Sequence, residues 1–307
     1  MTTGKALNGK PYAGNPHVRF DEGEVASVAT PRRGSLLYKI GLALGSGGAR
    51  GITHLGVWQR LQELEIPIHC IAGTSIGAIA GATIAAGRVD EALTWCKMSS
   101  WKKLPELVLD LPTMKALIAG RKVEKKLRQI IATERFSDLP IPFAAVATDL
   151  NTGEAVVMQE GDLISAVRAS MAIPGVFSPV ERDGRVLIDG GLVNPVPVSV
   201  CRALGADVVI AVDVNPLADP AEAKPFKKLH IKDVLLQSFG ILNYELTRRE
   251  FAVNGPDVLI CPAVEHVVAL DFRDAGRLVE IGRQAVDEKV VETLKAKISH
   301  KKERKLS

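Results

Sequence analysis

Three short segments of this 307-residue chain carry residue types that could cooperate in nucleophilic chemistry. The first is Gly73-Thr74-Ser75-Ile76-Gly77, a G-x-S-x-G pattern that follows the apolar run IPIHCIA and precedes the small-residue run AIAGATIAAG. At a strand-to-helix turn, flanking glycines let a serine project its Oγ from the strand end. The helix that follows turns unpaired N–H groups and a positive dipole end toward the same spot. Ser75 is therefore a candidate nucleophile, with a plain helix cap as the alternative, since Ser and Thr are common N-caps. The second segment, Gly45 to Gly51 (GSGGARG), also lies between a strand and a helix, and its exposed backbone N–H groups form a nest for an anion. A P-loop fails because Arg50 follows where the second glycine and a Lys-Ser/Thr pair are needed. The dinucleotide fingerprint fails at its third glycine, where Arg50 stands, and no acidic residue ends the second strand. An oxyanion loop facing Ser75 survives. The third segment is Asp189-Gly190-Gly191, which closes the apolar run GRVLI. Active groups of parallel α/β sheets gather at strand C-termini, although Asp189 taken alone reads as an Asx turn.

A nucleophilic serine needs a base. Of the six histidines, His17 and His300 fall in tails, His69 falls within the second strand, and none occupies a glycine-bounded strand-end turn. His54 is close to the anion loop but sits one turn into an amphipathic helix, where a polar-face or capping role is expected. Asp189 is the better candidate.

The elements needed to position these groups are legible as alternating strands and helices. LLYKIGLALG, IPIHCIAG, IPFAAVATDL, GEAVVMQE, GRVLIDGG, ADVVIAVDV and PDVLICP read as strands, most of them near-continuous apolar runs suited to burial on both faces. Ile52, Leu55, Trp58, Leu61 and Leu64 recur at helical spacing, SIGAIAGATIAAG reads as a helix of small side chains, and residues 88 to 135 look helical. DLISAVRASM and VPVSVCRAL are further helices. This interleaving predicts an α/β fold, a single domain with a mostly parallel central sheet flanked by helices. Residues 1–37, rich in Gly, Pro and charge, read as a flexible leader, and the chain after Val290 as a helix dissolving into a basic tail at 296–307.

GSGGARG, GTSIG and DGG in this order, with ASMAIPGVFSPV at 169–180, resemble the patatin-like phospholipases, especially bacterial members. The resemblance covers roughly residues 38–215, which would be the catalytic core, with 216–295 the C-terminal part of the same domain. It implies a three-layer sandwich bearing a serine acyl hydrolase site: Ser75 as nucleophile, Asp189 as its base in a Ser-Asp dyad, and the amides around Gly47, Gly48 and Ala49 as the oxyanion hole. The expected reaction cleaves carboxylic esters of lipids or phospholipids through an acyl-enzyme intermediate. The family's loop begins with three glycines, and here Ser46 takes the first place, its amide expected to be still available. Arg50 would bind a lipid phosphate or brace the loop against an acid, and bracing is the expectation. A soluble carboxylesterase or thioesterase, and a non-catalytic lipid-binding regulator on the same fold, stay open as alternatives.

The bulk numbers narrow the partners. A net charge of +4, from 39 Lys+Arg against 35 Asp+Glu, and 5% aromatic residues argue against nucleic acid. No cofactor or metal site is expected: Cys70, Cys96, Cys201 and Cys261 are far apart without a C-x-x-C pair and read as buried free thiols of a reducing compartment. The N-terminus lacks a secretory apolar stretch, and the longest apolar segment, Ile71 to Ala86, is too short to span a bilayer. A cytoplasmic protein is expected, with peripheral contact at the inner membrane face through WCKMSSWKKLPELVLDLPTMKALIAG or the basic tail as an option beside ordinary packing. Homo-oligomerisation is left open.

Overall fold

A computed structural model of the protein describes residues 38–98, 119–215, 231–268 and 271–306. The expected leader and most of the candidate membrane-contact segment lie outside the described residues. Every expected strand is present: β1 (Ile40–Leu44), β2 (Cys70–Thr74), β3 (Phe143–Asp149), β4 (Ala155–Met158), β6 (Arg185–Asp189), β7 (Val208–Val212) and β8 (Val258–Ile260). One strand is additional, β5 (Val180–Arg182), joined to β6 by a two-residue turn in which Asp183 and Gly184 have φ of 50° and 74°. Positive φ at both central positions is the hairpin geometry that Asp-Gly favours.

The strands form one sheet in the order β5-β6-β3-β2-β1-β7-β8, with β4 also paired to β3. Neighbours from β3 through β2, β1 and β7 to β8 are parallel. On the other flank β4 and β6 both run antiparallel to β3, and β5 runs antiparallel to β6. The sheet is thus mixed: β3–β4 and β5–β6 are each hairpins that return directly, with no helix crossing over between their strands.

Successive residues of the central strands enter two separate cores, as the pleat demands. Leu42, Leu44, Ile71, Ala145 and Ile210 join the larger cluster, whereas Ala43, Ala72, Val146, Val209 and Ala211 join the smaller. The larger core is covered by α1 (Thr53–Glu63), α2 (Ile76–Ala85), α4 (Arg121–Ile131) and α5 (Leu163–Ser170), with α3 (Val89–Met98) beside them. The smaller is covered by α6 (Val198–Ala203) and by Phe251 of α7 (Ile231–Asn254). Helices on both faces give three layers. Helix α8 (Ala275–Gln284) packs on α1, and α9 (Glu288–Leu306) carries the expected basic tail as continuous helix. Among the described residues no helix is long and apolar enough to cross a membrane. All four cysteines are free; Cys70 and Cys201 are buried as expected, but Cys96 on α3 is half-buried and Cys261 is exposed, since it follows β8 at the sheet edge.

Candidate active site

The β1 and β2 ladders pair Leu44 with Gly73, so the two glycine-bearing loops leave the sheet at the same rim. Ser75 heads α2 with φ 58° and ψ −122°, a left-handed conformation that costs a non-glycine residue about 1–3 kcal/mol. Its neighbours hold it there. Ser75 N donates to Ser170 Oγ at 2.9 Å, Ser170 Oγ donates to Val146 O at 2.6 Å, and Ser75 O accepts from Ala78 N and Ile79 N in the first turn of α2. The flanking glycines are required by close approach: a methyl group at Gly73 would overlap the Gly77 carbonyl, and one at Gly77 would overlap the Leu44 carbonyl. The Ser75 side chain makes no capping hydrogen bond, which removes the plain helix-cap alternative. Its Oγ instead donates to Asp189 Oδ2 at 2.6 Å.

Asp189 reaches this rim from the opposite direction. Thr74 pairs with Val146, the next residue Ala147 pairs with Asp189, and antiparallel β6 therefore ends level with Ser75. One carboxylate oxygen meets Ser75; the other accepts from Gly191 N at 2.8 Å, so the Asx turn and the serine contact coexist on one side chain. The backbone is pinned by Asp189 N to Ala172 O and by Thr148 Oγ1 donating to Asp189 O at 2.8 Å. Asp189 is fully buried, and desolvation pushes its pKa up to about 7 against the opposing pull of the Ser75 and Gly191 hydrogen bonds.

The glycine loop Gly45 to Gly51 packs alongside. Gly47 (φ 156°) and Gly48 (φ 61°) lead into a 3₁₀ turn over Gly48–Ile52, and Gly51 lies against Ile76 at the head of α2. The first N–H groups of such a turn have no acceptor within it. Gly45 N donates to Val212 O at 3.0 Å and Ser46 N to Pro195 O at 2.9 Å. The expectation that the Ser46 amide is available is thereby corrected: it is occupied by the segment that follows Asp189. Donors at Gly47, Gly48 and Ala49 carry the candidate role.

The model of the patatin-like phospholipase family matches residues 42–202, a span that holds all three segments. The chain belongs to that family. An NTE family protein of Mycobacterium tuberculosis is 43% identical over 190 residues, covering 62% of this chain and 53% of the relative. Human patatin-like phospholipase domain-containing protein 6 is 36% identical over 184 residues, 57% of this chain and 13% of that protein. The chain thus spans about half the length of the mycobacterial relatives it matches. In three dimensions VipD from Legionella pneumophila superimposes with a TM-score of 0.52 at 14% identity, over 84% of this chain and 67% of that one, a likeness of fold.

Within this family member several residues beside the three segments are woven into the site. Thr74 Oγ1 donates to Asn194 O at 2.8 Å, so the LVNP segment after Asp189 ties down both β2 and, through Pro195, the anion loop. Asn243, buried on α7, donates to Gly191 O at 3.1 Å. Asn243 and Thr247, polar residues one turn apart and both buried on α7, were the available signal for it, and a serine at the end of α5 for Ser170. Arg50 braces as expected, but against neutral oxygens: its Nε donates to Val267 O at 2.8 Å and an Nη to Asn215 Oδ1 at 3.1 Å. His54 is not on a polar face. It is fully buried, with Nε2 donating to Gly45 O at 2.8 Å, and desolvation drives its pKa down to about 4. His69 lies just before β2 rather than within it, and its Nδ1 accepts from Ile40 N at 3.0 Å.

Proposed function

We propose that the protein is a serine acyl hydrolase that cleaves carboxylic ester bonds of lipids, phospholipids included, through a Ser75–Asp189 dyad. The observation that carries this is the 2.6 Å contact between the Ser75 hydroxyl and a fully buried carboxylate whose pKa is raised to about 7. A carboxylate near 3.9 is a feeble base for a hydroxyl, and one near 7 is matched to neutral pH. Ser75 Oγ attacks the ester carbonyl carbon as its proton passes to Asp189 Oδ2. The N–H groups of Gly47, Gly48 and Ala49 hold the tetrahedral oxyanion, each well-placed donor contributing about 3–4 kcal/mol. Asp189 returns the proton to the leaving alcohol, and the acyl group stays on Ser75. Water, deprotonated by Asp189, then attacks the acyl-enzyme, and Asp189 passes that proton to Ser75 Oγ as the fatty acid leaves, restoring the dyad. The lipid part of the proposal draws on family membership and on the name shared by the mammalian relatives.

A fluorophosphonate probe tests the nucleophile, and p-nitrophenyl esters of graded chain length beside a labelled phospholipid test the substrate. Expected are labelling of Ser75, its loss with hydrolysis in Ser75→Ala, and fatty-acid release from the phospholipid. Turnover of short esters without phospholipid release would make it a soluble esterase. Absence of both labelling and turnover would leave a binding protein on this fold.

A further inference from the structure

The histidine nearest the anion loop has no place in a Ser-Asp mechanism, yet it is completely enclosed. Gly45 O can only accept, so the proton on His54 must sit on Nε2, and Nδ1 is then a buried acceptor with no donor among the described residues. Burying a polar atom without a protein partner is costly, and a leucine would fill the same space without that cost. What histidine supplies here and leucine would not is the donor at Nε2.

What that donor holds is one end of a peptide plane. The unit joining Gly45 to Ser46 presents its carbonyl to His54 Nε2 at 2.8 Å and its N–H to Pro195 O at 2.9 Å. A peptide is planar, so clamping the two groups that point oppositely from it fixes its rotation. The clamp falls where rotation would otherwise be cheap, in a stretch with glycine at 45, 47 and 48. It lies immediately ahead of the positive-φ residues Gly47 and Gly48, whose direction of departure it sets. The Gly45 carbonyl also abuts Gly77 at the first turn of α2, so the same atom registers the loop against the helix headed by Ser75.

We propose that His54 is a positioning residue of the anion loop: by fixing the 45–46 peptide it aims the N–H groups of Gly47, Gly48 and Ala49 at the carbonyl oxygen above Ser75. This rests on the hydrolase reading for its catalytic consequence, but not for its structural one. His54 touches no substrate. Its ring stays neutral across the working range, so the effect is one of geometry rather than charge.

The test compares His54→Leu, which fills the space without a donor, with His54→Gln, whose Nε2 stands the same number of bonds from Cβ. Two readouts are taken. Amide hydrogen exchange at Ser46 reports the clamp in any folded variant: at least about ten-fold faster exchange is expected in His54→Leu with little change in melting temperature, and protection restored in His54→Gln. Steady-state kinetics and inhibition by a trifluoromethyl ketone, which forms a tetrahedral adduct on Ser75, report the consequence: His54→Leu should lower kcat about 10- to 100-fold, leave KM within about two-fold, and weaken the inhibitor by the factor lost in kcat. His54→Gln should recover most of it. Unchanged exchange at Ser46 in His54→Leu would overturn the inference, as would equal losses in both variants tracking a fall in melting temperature. A wild-type protein that neither turns over nor binds the ketone would instead remove the hydrolase reading, and the exchange experiment would still decide the role of His54.

Discussion

The two halves of the sheet bring their residues to one rim by opposite means. On the parallel half, β1 and β2 deliver the anion loop and Ser75 from their C-terminal ends, and the geometry requires positive φ at Gly47, Gly48 and Ser75 and glycines that permit close backbone approach. On the antiparallel half, β6 arrives from the far side, and Asp189 has an ordinary extended backbone (φ −51°, ψ 131°). Its cost is electrostatic, a carboxylate buried whole. The Ser75 half, the nucleophile side of the proposed dyad, thus stores backbone strain, and the Asp189 half, its base side, stores desolvation. Substitutions should separate these two kinds of cost.

Asp189→Asn gives the largest contrast. Asparagine keeps an acceptor for Gly191 N but cannot take the serine proton, so ester hydrolysis should fall by about 10³-fold or more. Stability should move the other way. Below about pH 4 the carboxyl is protonated whether folded or not; as pH rises toward 7 the unfolded chain gives up its proton first, and folding loses on the order of 4 kcal/mol by the time the folded group titrates. The neutral amide carries no such penalty, and thermal melts should therefore place the variant several degrees above the wild type at pH 8 with the gap closing at pH 4. Wild-type kcat/KM should in turn rise with pH through about 7. A variant that melts lower at pH 8 than the wild type would show that desolvation is not what the base side stores.

Next in size are the glycines at which backbones touch. Gly77→Ala drives a methyl group into the Leu44 carbonyl on the nucleophile side, and Gly190→Ala drives one into the Val146 carbonyl on the base side. Neither neighbour is a side chain that can swing away, and each substitution should cost roughly 3 kcal/mol or more, read by urea denaturation. Gly153→Ala, at a turn where the added methyl meets nothing within 4 Å, isolates the φ cost alone and should fall well below both. Losses at Gly77 and Gly190 no larger than at Gly153 would mean that close approach does not explain these glycines.

Much of this arrangement is legible in the residues themselves. G-x-S-x-G, the glycine loop and D-G-G announce their turns, and apolar runs mark the strands they terminate. Asp189, however, obeys the rule of strand C-termini only in part: β6 is antiparallel, and the aspartate arrives by pairing register with Ala147, which no local pattern contains. Strand β5 is short and half exposed, so it lacks an apolar run; the Asp183-Gly184 pair was its signal. Helix α7 escapes periodicity because apolar residues occupy two faces, Val234, Leu235, Ile241 and Leu242 outward and Phe239 and Phe251 inward. His54 shares a helix face with Val57 and Leu61, all three fully buried, and its ring meets Gly45 O, a tertiary contact that the stripe of Ile52, Leu55, Trp58, Leu61 and Leu64 alone does not reveal.

The finest division between the two sides comes from a matched pair of hydroxyls. Ser170 Oγ bridges Ser75 N and Val146 O, and Thr148 Oγ1 donates to Asp189 O. Both side chains are buried. Removing the first, in Ser170→Ala, orphans a donor and an acceptor next to a residue already held off its preferred conformation, so kcat should drop about ten-fold and stability by about 1–3 kcal/mol. Removing the second, in Thr148→Val, leaves the shape unchanged beside an unstrained aspartate that β3 and Ala172 still hold. Here kcat should change less than about three-fold and stability by about 1 kcal/mol. The decisive quantity is the ratio of the two kcat losses measured side by side. If Thr148→Val lowers kcat as much as Ser170→Ala, then the base side too is held under backbone constraint, and strain and desolvation are not divided between the two halves of the sheet.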